Sequence, residues 1–157
     1  MILWPVGVSL VVVWLVFHDP AFDYRLLAVG ALVPLVIDAA LSRPALGHTL
    51  AFAVAVLAGV MLATRRHRVV RRHAIAVPIG LLLNLVASGM WVRPKVLWWP
   101  AFGLAFRDAP LLPPVPVVVA EEIAGLVAIA WFVRRFQLAD GSRRRSWLRT
   151  GRVTDRA

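Results

Sequence analysis

Six polar residues stand inside or at the edge of long apolar stretches: Asp38, His48, Asn84, Ser88, Glu121 and Glu122. Carboxylates with one imidazole are adequate ligands for Zn²⁺, Mn²⁺ or Fe²⁺. A divalent metal held by Asp38, His48 and either Glu121 or Glu122 would offset the burial of two acids and could activate water for hydrolysis. Asn84 and Ser88 are uncharged companions. The plainer reading is structural: the acids reach the headgroup region or hydrogen-bond to Asn84, Ser88 and His48. An ionisable residue within a span costs roughly 2.5–3.5 kcal/mol on insertion scales, so either reading must supply a partner.

The elements that carry these residues follow from composition. Of 157 residues, 61% are hydrophobic and 17% charged. A soluble domain runs nearer half apolar and a quarter charged. The apolar excess excludes intrinsic disorder. The absence of cysteine excludes a disulfide scaffold, cysteine-based zinc sites and a cysteine nucleophile. The net charge is +10, but the basic residues alternate with long uncharged stretches, which is the pattern of a membrane protein.

A transmembrane helix needs about 20 mostly apolar residues. Five stretches are candidates: Met1 to Phe17, Leu26 to Leu41, Gly47 to Thr64, Ala74 to Val92, and Val115 to Val133. The first lacks the basic leader and small-residue cleavage site of a signal peptide. The second contains Pro34, which removes a backbone hydrogen bond to Gly30 and makes a kink or a re-entrant helix an alternative. Pro110, Pro113, Pro114 and Pro116 mark an irregular loop before the fifth. The expectation is an all-α, multi-pass transmembrane bundle over 1–133, followed by a basic cytoplasmic tail over 134–157. Strand-length alternation is absent, so a barrel is excluded.

Orientation rests on arginine. Residues 65–73 carry five arginines and the tail carries eight. Such flanks stay cytoplasmic. Five spans then put the amino terminus outside and the carboxyl terminus inside. On that assignment 14 of 18 Lys+Arg are inside, and Arg43, Arg93, Lys95 and Arg107 are outside. All six polar residues fall in the outer half. Trp91, Trp98 and Trp99 are expected at the outer boundary, and Trp14, Phe17, Trp131, Phe132 and Phe136 at the inner one.

Small residues four apart predict packing faces. They are Gly47, Ala51, Ala55, Gly59 and Ala63; Gly80, Asn84 and Ser88; and Ala120, Ala124 and Ala128. The same ridges would allow a homo-oligomer. A transporter is disfavoured, since no pair of broken helices repeats between the halves.

The chain resembles the bacterial LexA-binding, inner-membrane-associated family labelled metal-dependent hydrolases, especially its small actinobacterial members. The resemblance lies in DYRLLAVGALVPLVID (23–38), GHTL (47–50), PIGLLLNLVASGMW (78–91), LWWPAFG (97–103), EEIAGLVAIAWFVRRFQLAD (121–140) and RTGR (149–152). It implies a bacterial cytoplasmic membrane and a metal site to which Asp38, His48-Thr49 and Glu122 correspond. The family also carries a His-x-x-x-Asp pair before its aromatic-Trp-Pro element. Here Asn84 and Ser88 stand in those positions. Both are poor ligands for a catalytic transition metal, so the resemblance implies a degenerate site. The competing reading keeps an active hydrolase acting on a lipid or envelope substrate, with Asp38, His48 and Glu122 on the metal and Glu121 as the general base. Anionic lipid headgroups are the expected partner of the arginine clusters. Nucleic acid ranks below them, although RRRSWLRTGR mixes aromatic and basic residues.

Overall fold

The computed structural model describes residues 1–41, 45–103 and 113–153. Arg43, Arg107, Pro110 and Arg156 lie outside the described residues. Among those described there is no strand. The helices are α1 (Leu3–Phe17), α2 (Tyr24–Leu41), α3 (Leu50–Ala63), α4 (Arg68–Ala74), α5 (Ala76–Ala87), the short α6 (Pro94–Leu97), α7 (Val115–Arg135) and α8 (Gly141–Thr150). Single 3₁₀ turns at Leu46–His48 and Met90–Val92 precede α3 and α6.

Three segments are long and apolar enough to cross a membrane: Tyr24–Leu41, Arg68–Ala87 and Val115–Arg135. α1 and α3 are apolar but shorter, at 15 and 14 residues. Pro34 does not interrupt α2, which continues as one helix to Leu41. At 18 residues this unbroken helix is long enough to cross a membrane. The fourth apolar stretch begins earlier and stops sooner than its hydropathy implied. Ser88 caps α5, and Gly89 turns the chain with a φ of +68°. Trp91 and Val92 thus lie beyond the helix.

α2 packs most extensively on α5, and α1 on α7; α1 also touches α2 and α5, while α3 lies against α5. Two buried clusters result. One joins Leu10, Val13, Trp14, Tyr24, Leu27, Ala76, Phe132 and Phe136 with Leu138 and Val153. The other joins Ala45, Ala53, Leu81, Leu85, Met90 and Val96 at the opposite end. Many large apolar side chains face outward, among them Val16, Val36, Leu62, Val86, Ile123 and Leu126. A soluble monomer rarely exposes so continuous an apolar surface.

The helix crossings run through glycine. A Cβ on Gly30 would collide with the Val77 carbonyl, and one on Gly80 with the Leu27 carbonyl. These two glycines let the α2 and α5 backbones touch. At the α1–α7 crossing, a Cβ on Gly7 would stand 2.6 Å from the Gly125 oxygen. Close backbone approach is how helices associate when lipid supplies no hydrophobic drive. The Gly80–Asn84–Ser88 face is therefore a packing face, as its spacing predicted. Beyond Gly47, the α3 ridge is not, within one chain. Ala51, Ala55, Gly59 and Ala63 are exposed, and α3 buries Ala53 instead. On α7, Ala120 and Ala124 are exposed and only Ala128 meets α1.

The aromatic expectations divide. Phe17 and Trp131 are exposed, whereas Trp14, Phe132 and Phe136 are core residues. Trp14 meets Phe136 edge-on at 4.7 Å between ring centroids. An aromatic near the end of a span has two options, the interface or the core, and here the returning chain supplies the core.

That returning chain is the basic segment. Asp140 caps α8 by accepting from the Ser142 N–H at 2.7 Å. The Ser142 hydroxyl and then its amide hold the Asp140 carboxyl below the usual carboxylate range. Beyond α8, the Tyr24 N–H donates to the Gly151 carbonyl at 2.9 Å, and the Val153 N–H to the Pro20 carbonyl at 3.1 Å. Arg25 donates to the Leu148 carbonyl. Arg72 pairs with Asp19 at 3.4 Å and His73 lies 3.5 Å from Asp23. Both arginine-rich segments and the 18–25 loop thus share one end of the bundle.

Candidate functional site

The six polar residues gather toward the other end, as the alternation of helices requires, but they do not form one cluster. Among the described residues, no three His, Asp or Glu side chains come together as a group able to hold a metal ion.

Asp38 lies in the last turn of α2, where the chain reverses into α3. Its Oδ2 accepts the Ala45 N–H at 3.0 Å, and its Oδ1 the Gly47 N–H at 2.6 Å. His48 Nδ1 lies 2.8 Å from Oδ2. A carboxylate only accepts, so the hydrogen of this pair sits on Nδ1, and a neutral ring then carries its lone pair on Nε2. Two local features permit this turn. Ala45 adopts a left-handed φ of +94°, which aims its N–H back at α2. Gly47 lies so close to α2 that a Cβ would be 2.6 Å from the Pro34 oxygen. Thr49 then opens α3, its buried hydroxyl accepting the Phe52 N–H at 3.1 Å.

Asn84 is 4% exposed and donates through Nδ2 to the Ala31 carbonyl of α2 at 2.6 Å. Ser88 donates its hydroxyl to the Asn84 backbone carbonyl at 2.6 Å. Both residues join helices or close helix ends. Neither is hydrogen-bonded to Asp38, His48 or a glutamate.

Glu122 faces α1. Its Oε1 accepts the Ile2 N–H at 2.6 Å and its Oε2 the Leu3 N–H at 3.1 Å. The first N–H groups of a helix have no partner within it. α1 has no side-chain cap of its own, so Glu122 caps it from α7. A negative charge there is also favoured by the helix dipole. Loss of a cap costs about 0.5–2 kcal/mol. Glu122→Ala is expected to destabilise the chain by that amount and to speed hydrogen exchange at Leu3, read by exchange mass spectrometry of an amino-terminal peptide. Glu122→Gln keeps one acceptor and is expected to lose about half as much.

Glu121 points elsewhere. It lines an apolar slot with Trp4, Pro116, Val117, Ala120 and Ala124. Its Oε2 is buried without a hydrogen-bond partner among the described residues. Trp4 is itself tied across the bundle, donating Nε1–H to the Ala87 carbonyl at 2.8 Å.

Among the proposed ligands, then, Asp38 and His48 meet, while Glu122 serves the start of α1. The capping role escaped the sequence because its partners lie 119 and 120 residues away. The docking of the basic segment onto Asp23 and Tyr24 was missed for the same reason. One hint was present: Gly151, where a Cβ would overlap the Asp23 carboxylate.

Compared with known proteins, the chain matches no family model, no curated protein and no solved structure.

Proposed function

We propose that this chain is a multi-pass protein of the bacterial cytoplasmic membrane whose polar outer end is structural, and that its role lies in contacts with lipid or a partner rather than in metal-dependent hydrolysis. Five spans, with the arginine-rich end cytoplasmic, follow from the positive-inside rule. One observation carries the structural reading. The acids proposed as ligands are committed to backbone N–H groups: Asp38 to Ala45 and Gly47, Glu122 to Ile2 and Leu3. A carboxylate so engaged keeps spare lone pairs but is held where its backbone partners are, and Glu122 is thereby held at the start of α1 and does not group with Asp38 and His48. The donor set therefore does not fit a three-ligand zinc or manganese site, which requires its ligands within one coordination sphere.

A second reading has one observation in its favour. His48 Nε2 has no protein partner among the described residues, and Asp38 orients the ring from the other nitrogen. A hydrolase would use such an imidazole as a general base toward a lipid or envelope substrate.

Metal content of the detergent-purified full chain, wild type beside Asp38→Ala and His48→Ala, separates the readings. The structural reading expects substoichiometric Zn and Mn in all three, unchanged after incubation with either ion. Near-stoichiometric metal in the wild type, lost in both variants, would overturn it.

A further inference from the structure

α7 is packed on one side only. Gly125 and Ala128 meet α1, and Phe132 turns into the core. The opposite side presents Val127, Ala130, Trp131 and Arg134, which share a face by their spacing of three, four and seven. With Arg135 they line an open groove of about 530 Å³. Val127 is 63% exposed and Trp131 40%. The Arg135 guanidinium rests over the Trp14 and Phe136 rings, 5.9 and 5.6 Å from their centroids. Its charge is thereby held at the mouth of the groove, beside the exposed Arg134.

The groove is apolar along its floor and cationic at one end, with no acid among its lining residues. A second copy related by a two-fold axis through it would bring arginine against arginine. A soluble anion would meet Arg134 and leave the floor uncovered. A phospholipid with a net negative headgroup matches both parts. α7 has 21 residues, about 31 Å at 1.5 Å per residue, which matches a hydrocarbon core of ~30 Å. Its terminal arginines then stand at phosphate depth, with Trp131 one turn inside.

We infer that this groove is a binding site for one anionic phospholipid, with an acyl chain along Val127, Ala130 and Trp131 and the phosphate at Arg134. The inference rests on the membrane reading, and it names one site where the earlier expectation spread charge over every arginine.

The test is native mass spectrometry of the full chain in nonionic detergent, titrated with phosphatidylglycerol or phosphatidylcholine. The first phosphatidylglycerol is expected to bind about tenfold more tightly than the first phosphatidylcholine. Arg134→Gln should lower that preference about fivefold, the equivalent of ~1 kcal/mol for one charge near an anionic headgroup. Arg144→Gln, an exposed charge on α8, should leave it unchanged. Trp131→Ser should weaken both lipids. Equal losses in Arg134→Gln and Arg144→Gln would show diffuse attraction and overturn the site, as would no preference in the wild type. Displacement of the lipid by glycerol 3-phosphate at equal concentration would overturn it in favour of a soluble anion. Alkaline extraction distinguishes the two levels of failure. Release of the chain from membranes would sink the membrane reading itself, whereas retention without lipid preference sinks only this site.

Discussion

Gly80→Leu is expected to abolish a folded, monodisperse chain, while Gly59→Leu leaves it intact. The two substitutions add the same side chain to a helix and differ only in what it meets. At Gly80 a Cβ overlaps the Leu27 carbonyl, and the atoms beyond it would overlap α2 further. Backbone does not yield as a flexible side chain does, so α2 and α5 must separate. Overpacking of a core typically costs about 1–3 kcal/mol. Separating the most extensive helix contact in the bundle would exceed the upper end of that range. Replacing a helical glycine gains only about 0.5–1 kcal/mol in backbone entropy, so the collision wins. At Gly59 nothing lies within 4 Å of the added atom, and the small gain stands alone. Thermal unfolding in detergent, with size-exclusion profiles before and after heating, reads both. A stable Gly80→Leu chain would show that α2 and α5 do not cross at this point.

Asp38→Ala is the second large effect. It leaves the Ala45 and Gly47 N–H groups and His48 Nδ1 without their acceptor. A buried donor left unmet costs about 1–3 kcal/mol. His48 can turn toward solvent, so the two amides dominate, and a loss of roughly 2–5 kcal/mol is expected. Asp38→Asn keeps one oxygen acceptor and should lose about half as much. His48→Ala removes one bond and strands no backbone group, so about 1 kcal/mol is expected. The order Asp38→Ala, Asp38→Asn, His48→Ala by decreasing loss is specific to a carboxylate that organises a turn. Equal losses for Asp38→Ala and His48→Ala would point to a shared ligand instead. Chemical unfolding in mixed detergent micelles gives the ranking.

What could be read in advance was local. Long apolar runs separated by arginine clusters gave the helices and their alternation, because span length and charge flanks are properties of consecutive residues. The gathering of Asp38, His48, Asn84 and the glutamates toward one end followed from counting spans. The Gly80–Asn84–Ser88 face was legible because its spacing matches a helix. Spacing says which residues share a face, however, and not which face finds a partner. The α3 ridge had the longest small-residue register, yet beyond Gly47 it is exposed, while glycines at 7, 30 and 125, outside any such register, join Gly80 at the crossings. The polar residues show the same limit of spacing. Asp38 and His48 are ten residues apart and meet across one turn. Glu122 meets the start of α1, a pairing that depends on how α7 lies along α1.

The five spans proposed above would put the ends of the chain on opposite sides of the membrane. The chain has no cysteine, so single cysteines report position without background. Ile2→Cys, Lys95→Cys and Ser146→Cys would be labelled in intact cells with a membrane-impermeant maleimide, before and after permeabilisation. Labelling at positions 2 and 95 in intact cells, with position 146 reactive only after permeabilisation, is the predicted result. Positions 2 and 146 reacting from the same side would contradict five spans, and with them the orientation of the whole bundle.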